Sequence, residues 1–417
     1  MKKSFLFSLL ILSILVTMLA GTASAQDDPV VITMWHIATE ADSFYSVLPP
    51  AIDNFNATHD DVQIEVTVME NDAFKTQIAV AVAAGEQPDI FMTWGGGLLK
   101  SYVDAGIVRE IPELDTEAGA NFIPGGLGPS TFDSKHYAVP ANLAGIGLYY
   151  NKALFAEADL DAPATWDDLI ASCAVFNEMG VAPISLGNVN RWTGSFWFMY
   201  LNLRTGGPEA FQAAYGRTGS FADPTFVKTG ELIQQAVEAE CFIEGYNGMN
   251  YQDEQVLFAS GLAAMELQGD WNYAGLLNLE MPQEDIGFIP FPAVSEDGDE
   301  LAMLGGTGQA FTISSKAPEE TNMVLIELLG SPEFGLACAE NGFLPAVKGA
   351  EDRIEDPLVK DIAGMLSEAS YVQLAYDQFL PPELAQVHLD TTQALFGLSM
   401  SPEEAAETME AAAASAQ

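Results

Sequence analysis

Several tryptophan residues in this chain stand beside side chains that form strong hydrogen bonds. Trp35 is followed by His36 and then by Glu40, and Asp270 directly precedes Trp271. An indole ring offers a flat apolar face, and a carboxylate accepts charge-assisted hydrogen bonds from hydroxyl or amino groups. This combination is typical of sites that bind sugars, which present apolar C–H faces and rims of hydroxyl groups. For each carboxylate taken alone, a solvated surface position is the alternative.

Trp94 stands at the end of a short apolar run and is followed by Gly95-Gly96-Gly97. One interpretation is a core tryptophan that closes a strand before a flexible turn. The other is a stacking platform, beside glycines that let the backbone approach a sugar ring. Trp35 and Trp271 occupy equivalent strand ends, which favours the platform.

Other kinds of chemistry leave no recognisable pattern. The three glycines have no downstream Gly-Lys-Ser/Thr, as a phosphate loop would, and no nucleophile elbow is present. His36, His59, His136 and His388 are not spaced as zinc ligands, and we expect no metal, cofactor or catalytic residue. A glycoside hydrolase remains an alternative, because its two carboxylates are defined by a distance that a sequence does not show.

The elements that carry these residues alternate between strands and helices. Apolar or alternating runs predict strands at 30–35, 62–68 and 89–93, with a helix before each of the last two. This β-α-β-α-β order predicts a parallel sheet with ligands at the carboxyl ends of its strands. Pro49-Pro50 must kink the first helix or mark its start, and Asp72 is the expected cap of the second.

Later segments predict further strands at 145–150, 263–267, 286–289 and 309–313. Between them, Thr165 and Asp168 resemble a capping box for a helix to Met179, and Trp166 is interpreted as a packing residue. We expect further helices, listed here as 195–204, 208–215, 224–239 and 253–259. After Pro318 the chain is predicted to be almost entirely helical.

The first 25 residues have the parts of a secretory signal peptide. Lys2 and Lys3 precede an apolar run at 5–20, and small residues lead to an expected cleavage after Ala25. Thr22 stands where a lipoprotein signal has its lipidated cysteine, so no lipid anchor is expected. We therefore expect a periplasmic or secreted protein.

Charge and size restrict the partners further. The chain has 417 residues, with 59 acidic against 15 basic side chains and a formal charge of −44. Such a field repels nucleic acid and suits neutral or cationic ligands, and it also favours solubility. The length predicts two domains. Of three cysteines, we expect Cys173 and Cys241 to form a disulfide and Cys338 to stay reduced.

The ordered set of motifs resembles the extracellular solute-binding proteins of carbohydrate ABC importers. It includes Ile32-Thr33-Met34-Trp35-His36, Pro88-Asp89-Ile90-Phe91 before Trp94, and Leu148-Tyr149-Tyr150-Asn151-Lys152. Gly269-Asp270-Trp271 and Gly342-Phe343-Leu344-Pro345 follow in the same order. The similarity is greatest to the branch of maltose-, raffinose- and xylobiose-type binders.

The resemblance implies an α/β fold of two interwoven lobes with a helical C-terminal part. Lobe 1 would comprise 28–140 plus 293–345, and lobe 2 would comprise 141–292 plus 346–417. Hinge strands are expected at 139–142 and 290–292.

The resemblance also implies a monomer that binds a neutral sugar or oligosaccharide and delivers it to a membrane permease. A binder of another solute, such as a polyamine, is the further alternative. The implied cleft residues are Trp35, His36, Glu40, Trp94, Asn142, Trp192, Trp197, Asp270, Trp271, Gly306 and Asp377.

Overall fold

A computed structural model describes residues 29–415, so the signal peptide and its expected cleavage site lie outside the described residues. The strands are β1 Val30–His36, β2 Val62–Val68, β3 Ile90–Thr93, β4 Thr131–Phe132, β5 Lys135–His136, β6 Ala138–Pro140, β7 Asn142–Asn151, β8 Ala182–Ile184, β9 Ala263–Gly269, β10 Ile286–Ile289, β11 Met303–Thr307, β12 Ala310–Ile313, β13 Leu344–Pro345 and β14 Val372–Gln373.

The α-helices are α1 Leu48–Thr58, α2 Asn71–Ala84, α3 Gly96–Asp104, α4 Pro124–Leu127, α5 Lys152–Glu157, α6 Trp166–Met179, α7 Trp192–Tyr215, α8 Pro224–Glu238, α9 Tyr251–Ala259, α10 Trp271–Asn278, α11 Thr321–Gly330, α12 Pro332–Glu340, α13 Pro357–Glu368, α14 Tyr376–Phe379, α15 Pro382–Phe396 and α16 Pro402–Ser415. Short 3-10 helices occur at Ser43–Ser46, Pro112–Asp115, Glu117–Gly119, Gly128–Ser130, Asn188–Asn190, Tyr246–Gly248, Gln283–Asp285 and Glu351–Arg353. In this part of the chain, no helix has both the length and the apolar character that crossing a bilayer requires.

The first sheet has the strand order β2-β1-β3-β12-β6. β1 pairs in parallel with β2 and β3, which confirms the predicted β-α-β-α-β order. β12 then pairs antiparallel with both β3 and β6. Ile32 and Met34 of β1 are fully buried, as are Ile90 and Phe91 of β3 in the same core.

The second sheet is organised around β7 and has the order β14-β11-β7-β9-β8. β7 also pairs with β10 and β13, so four strands share its hydrogen-bonding edges. Ile146 and Leu148 enter one apolar core and Tyr149 enters another. Since successive strand residues face opposite sides, helices cover both faces of this sheet.

The chain passes between the two sheets at three places in residues 29–415. The first lies between β6 and β7, as expected, and the third lies between Phe343 of the first core and β13. The second lies between β11 and β12, since β11 pairs with β7 and β12 with β3.

The second crossing differs from the expected hinge at 290–292 and the expected lobe limit at 293. Phe291 is buried in the second core, and its ring stacks on Tyr200 with centroids 4.9 Å apart. Trp197 contacts the same ring edge to face. The Pro290-Phe291-Pro292 segment is therefore anchored in the second core and is not a hinge. The chain changes sheet at 308–309. The extent of each complete lobe stays a prediction.

Several element limits also differ in detail. The cap of α2 is Glu70, whose carboxylate accepts from the Asp72 amide at 3.0 Å, and the expected cap was Asp72. α7 joins two expected helices across a kink at Gly207, where φ is 68°, just before Pro208. Pro49-Pro50 mark the start of α1, and the capping box of Thr165 and Asp168 is present at α6.

Cys173 and Cys241 form a disulfide, and Cys338 is a buried free thiol. The bond joins α6 to the segment after α8, 68 residues later in the chain. Both half-cystines are fully buried in the second core. The cross-link therefore restricts a long loop of the unfolded chain.

We expect replacement of both Cys173 and Cys241 by serine to lower the free energy of unfolding by about 2–4 kcal/mol, because the unfolded chain regains loop entropy. Denaturant titration by far-ultraviolet circular dichroism measures the loss. Cys338→Ala is the control, since it removes a buried thiol without opening a loop. Equal losses in the two variants would contradict the stabilising role of the disulfide.

Candidate ligand-binding cleft

A cavity of about 470 Å³ lies between the two sheets. Sites for small molecules usually measure about 300–1,000 Å³. On the side of the first sheet, the walls are the segment at 37–44, the start of α2, and Trp94. On the side of the second sheet they come from α9, α10 and the start of α7, and residues 305–309 lie between the two sides.

One wall of the cleft is a cluster of aromatic rings. Trp192 lies 5.1 Å from Tyr251 and 6.5 Å from Trp271, measured between ring centroids, and Phe196 lies 6.2 Å from Trp271. Trp271 packs against apolar residues of both cores. The wall thus joins residues of α7, α9 and α10.

The ring of Trp271 lies directly against the backbone of Gly269. A Cβ atom at Gly269 would lie 2.1 Å from the indole, so only glycine allows this approach. Gly269 thus makes room for the indole of a cleft tryptophan, which differs from the expected approach of the backbone to a sugar ring.

The opposite wall carries Trp94, which is half-buried at the end of β3. Its ring meets Phe74 edge to face, with centroids 6.3 Å apart, and Lys75 Nζ lies 5.1 Å from its centroid. Phe74 and Lys75 hold the indole from the side of α2. The Lys75 ammonium lies over the ring, and both Lys75 and Trp94 line the cavity.

The glycines after Trp94 serve a different contact from the expected one. A Cβ atom at Gly96 would lie 2.3 Å from the carbonyl oxygen of Gln378, and one at Gly97 would lie 2.3 Å from that of Leu380. These carbonyls belong to the segment around α14, which packs in the second core. The glycines therefore let α3 of the first core approach the backbone of the second.

Acidic side chains outnumber basic ones around the cavity. Glu40, Asp42, Glu70 and Asp377 line it, with Lys75 as the basic residue of its lining. Burial raises the pKa of Asp42 to about 6, although a hydrogen bond from the Phe44 amide opposes the shift. Such walls suit ligands with many hydroxyl groups or with a positive charge. In residues 29–415, no cluster of three or more His, Cys, Asp or Glu side chains has the arrangement of a metal site.

Asn142 fixes the base of the cleft where two crossings meet. Its side-chain oxygen accepts from the Gln309 amide at 2.9 Å, and its backbone carbonyl accepts from the Gly308 amide at the same distance. The Ala141 amide donates to the Gln309 carbonyl at 2.8 Å. The first and second crossings are therefore hydrogen-bonded to each other.

The cavity brings together six residues of the expected set: Glu40, Trp94, Asn142, Trp192, Trp271 and Asp377. The remaining five do not line it. Gly306 lies in β11 opposite Ala144, between two residues that do line the cavity. Trp35 is half-buried against the first core.

The other three, Trp197, Asp270 and His36, are buried and contact other parts of the protein. Trp197 packs against Phe242 and Phe291 in the second core. Asp270 accepts from the Gly145 amide at 2.9 Å and so ties the end of β9 to β7. His36 accepts from the Ala38 amide at 3.1 Å, and burial lowers its pKa to about 4. A polar residue at a strand end can therefore bind a backbone amide of the protein, as Asp270 and His36 do, and need not bind a ligand.

Tyr251 and Gln255 line the cavity but were absent from the expected set. The predicted helix begins at Asp253 and does not include Tyr251, whereas α9 begins at Tyr251. Residues four apart share a helix face. With the correct helix start, the spacing of four between Tyr251 and Gln255 would place both side chains on the same face of α9.

The chain matches the model of the bacterial extracellular solute-binding protein family over residues 38–334. A curated relative, an uncharacterized extracellular-binding protein of an ABC transporter from Pyrococcus horikoshii, is 30% identical over 216 residues. That match covers 50% of this chain and 48% of the relative, so it spans about half of each protein.

Two solved structures are similar over almost the whole chain. One, from work on xylan utilization by the thermophilic bacterium Caldanaerobius polysaccharolyticus, is 29% identical with a TM-score of 0.85, and the match covers 92% of this chain and 99% of that one. The other, a chitin oligosaccharide binding protein, is 25% identical with a TM-score of 0.86 over 93% and 99% of the two chains. These similarities confirm the two-lobe α/β fold of periplasmic binding proteins. The chain belongs to the family of bacterial extracellular solute-binding proteins.

Proposed function

We propose that the protein captures a neutral sugar or oligosaccharide in the cleft and delivers it to the membrane permease of an ABC importer. The observation that supports this most is the pairing of aromatic rings on both walls with carboxylates and amides between them. Aromatic rings stack on the apolar faces of sugars, and the polar groups bind hydroxyls. The xylan- and chitin-related names of the two similar structures favour the same ligand class.

Capture works through closure of the two walls on the ligand. A ligand that touches both Trp94 and Trp271 makes all of its contacts only when the walls are close, so its binding favours the closed state. The cleft already has a direct contact across it, because Asn190 Nδ2 donates to Asp72 Oδ2 at 2.5 Å. Asn190 is held in turn by the Tyr251 amide, which donates to its Oδ1 at 2.8 Å.

The remaining expectations are part of the same proposal. The protein acts as an exported monomer without a lipid anchor after cleavage behind Ala25, and it binds without chemical conversion. The binding experiments below also distinguish two alternative functions, a hydrolase and a polyamine-binding protein. Release of reducing ends from an oligosaccharide would indicate a hydrolase, and binding of a polyamine in place of sugars would follow from the acidic lining.

We expect Trp94→Ala and Trp271→Ala each to weaken sugar binding by about 1–3 kcal/mol, through loss of stacking and burial. Calorimetric titration with a panel of neutral oligosaccharides, including xylan- and chitin-derived ones, measures the change. A polyamine in the same panel tests the cationic alternative. No binding by any neutral sugar would contradict the proposed function.

Trp166→Phe provides the matched control for these variants. Trp166 is buried in the second core, away from the cleft, and its indole N–H donates to Gln235 at 3.0 Å. We expect this change to lower thermal stability and to leave the sugar affinity unchanged. A loss of affinity equal to that of Trp271→Ala would show that the cleft variants act through general destabilisation.

We expect Asp72→Ala to weaken sugar binding about two- to fivefold, because it removes one exposed hydrogen bond of about 0.5–1 kcal/mol from the closed state. Asp60→Ala is the control, since it removes an exposed charge on the first-sheet side that does not cross the cleft. Small-angle scattering of the ligand-free variant should show a more open particle. Equal affinities of the two variants would rule out the contribution of this contact to closure.

A further inference from the structure

A chain of buried polar side chains lies directly behind the aromatic wall. Glu254 of α9, Glu266 and Gln268 of β9, and Asn272 of α10 are all fully buried. None of them lines the cavity, and the proposed function does not use them. Burying two carboxyl groups is costly unless each is neutral or has hydrogen-bond donors.

Both oxygens of Glu254 have donors. The Gly187 amide donates to one at 2.6 Å, and Gln268 Nε2 donates to the other at 2.9 Å. Hydrogen bonds to both oxygens favour the ionised form. Glu254 is therefore the member of the pair that is equipped to carry a charge.

Glu266 is bonded differently. Its Oε1 accepts from Asn272 Nδ2, whereas its Oε2 is buried without a partner. Gln268 Oε1, two residues along the same face of β9, is also buried without a donor. A proton on Glu266 removes the charge from a carboxyl group whose second oxygen has no donor. The arrangement thus suits one charge on Glu254 and one proton on Glu266.

The link to Glu266 sets the direction of the hydrogen bonds that reach the cleft. Because Asn272 Nδ2 faces Glu266, its Oδ1 faces the cavity side, where it accepts from the Tyr251 hydroxyl at 3.0 Å and from Gln255 Nε2 at 2.6 Å. Both donors are thereby used internally. Gln255 Nε2 also donates to the Tyr251 oxygen at 3.4 Å, so Gln255 Oε1 is the acceptor that this group presents to ligand hydroxyl groups.

The surroundings contain further acidic groups and no compensating cation. Burial, followed by the charge of Glu254, raises the pKa of Glu266 well above its ordinary value. Burial also raises the pKa of Glu254, opposed by its bonds to Gln268 and Gly187. In residues 29–415, neither carboxyl group forms an ion pair with Lys or Arg. The ionisable groups around them are Tyr149 of β7, Tyr251 of α9, Tyr273 of α10, Asp270 at the end of β9, and Asp42 across the cleft.

We infer that Glu266 is a positioning residue that, in its protonated form, fixes Asn272 so that Gln255 presents a hydrogen-bond acceptor to the ligand. This inference rests on the proposed function of the cleft. Ionisation of Glu266 leaves a charged oxygen buried without a donor and places a second negative charge beside Glu254. The polar edge of the aromatic wall then loses its fixed orientation.

The test compares wild type, Glu266→Gln and Glu266→Leu with the xylan- and chitin-derived oligosaccharides of the panel at pH 7 and pH 9. The glutamine amide reproduces the protonated acid in size and lack of charge, and its oxygen can accept from Asn272. We expect its Kd to stay within about threefold of the wild-type value at pH 7 and to change little at pH 9. We expect the wild-type Kd to rise at least tenfold over that interval, and Glu266→Leu to show this loss already at pH 7.

Two binding results would overturn the inference. One is the same pH dependence of Kd in wild type and Glu266→Gln, and the other is a tenfold loss in Glu266→Gln at pH 7, which would mean that the charge is required. Ligand-free protein gives a separate readout if no sugar binds. The near-ultraviolet circular dichroism of the aromatic wall should change between pH 7 and pH 9 in wild type and not in Glu266→Gln. Identical spectra in both proteins would also overturn it.

A buried proton on Glu266 also determines how the stability of the ligand-free protein changes with pH. A carboxyl group with a raised pKa binds its proton more tightly in the folded state than in the unfolded state, so its contribution falls as the pH rises. The wild-type free energy of unfolding should therefore decline relative to that of Glu266→Gln between pH 5 and pH 9. A constant difference between the two proteins would contradict a buried proton on Glu266.

Discussion

The hydrogen bonds between the first and second crossings determine the arrangement of the rest of the molecule. Asn142 and Gln309 join the two segments with their side chain and backbone, so the sheets meet along one short seam. β7 starts at Asn142 and supplies the pairing edge for most of the second sheet, and β12 starts at Ala310 and completes the first. The cleft opens from this seam because the chain crosses there, and motion about it changes the distance between the walls.

The walls combine a rigid support with few ligand contacts. Trp271 lies on the backbone of Gly269, and Trp94 is held by Phe74 and Lys75. Each ring is thus held by neighbouring groups of the protein. Binding then requires little ordering of side chains, and most of the entropic cost falls on the ligand and on the approach of the two lobes.

Much of the fold could be predicted from the sequence, because its signals are local. The alternation in β2, the run in β3 and the capping box at α6 depend only on neighbouring residues. The second crossing was misplaced, because only the burial of Phe291 distinguishes an anchored Pro-Phe-Pro segment from a hinge. In the site, Trp94 and Trp271 were found by their strand ends. Asp270 and His36 have the same signal yet are buried and bond to the backbone amides of Gly145 and Ala38, and that burial is set by packing in the folded protein.

The contact between Gly96, Gly97 and the carbonyls of residues 378 and 380 has a consequence for how such proteins diversify. Any larger residue at either position would place a side chain between the two lobes, and the lobes would have to separate by the width of that group. These two positions therefore limit how closely the lobes approach each other. We expect a larger residue there to alter affinity for every ligand in the same direction, whereas a change at Tyr251 or Gln255 should alter which ligand is preferred.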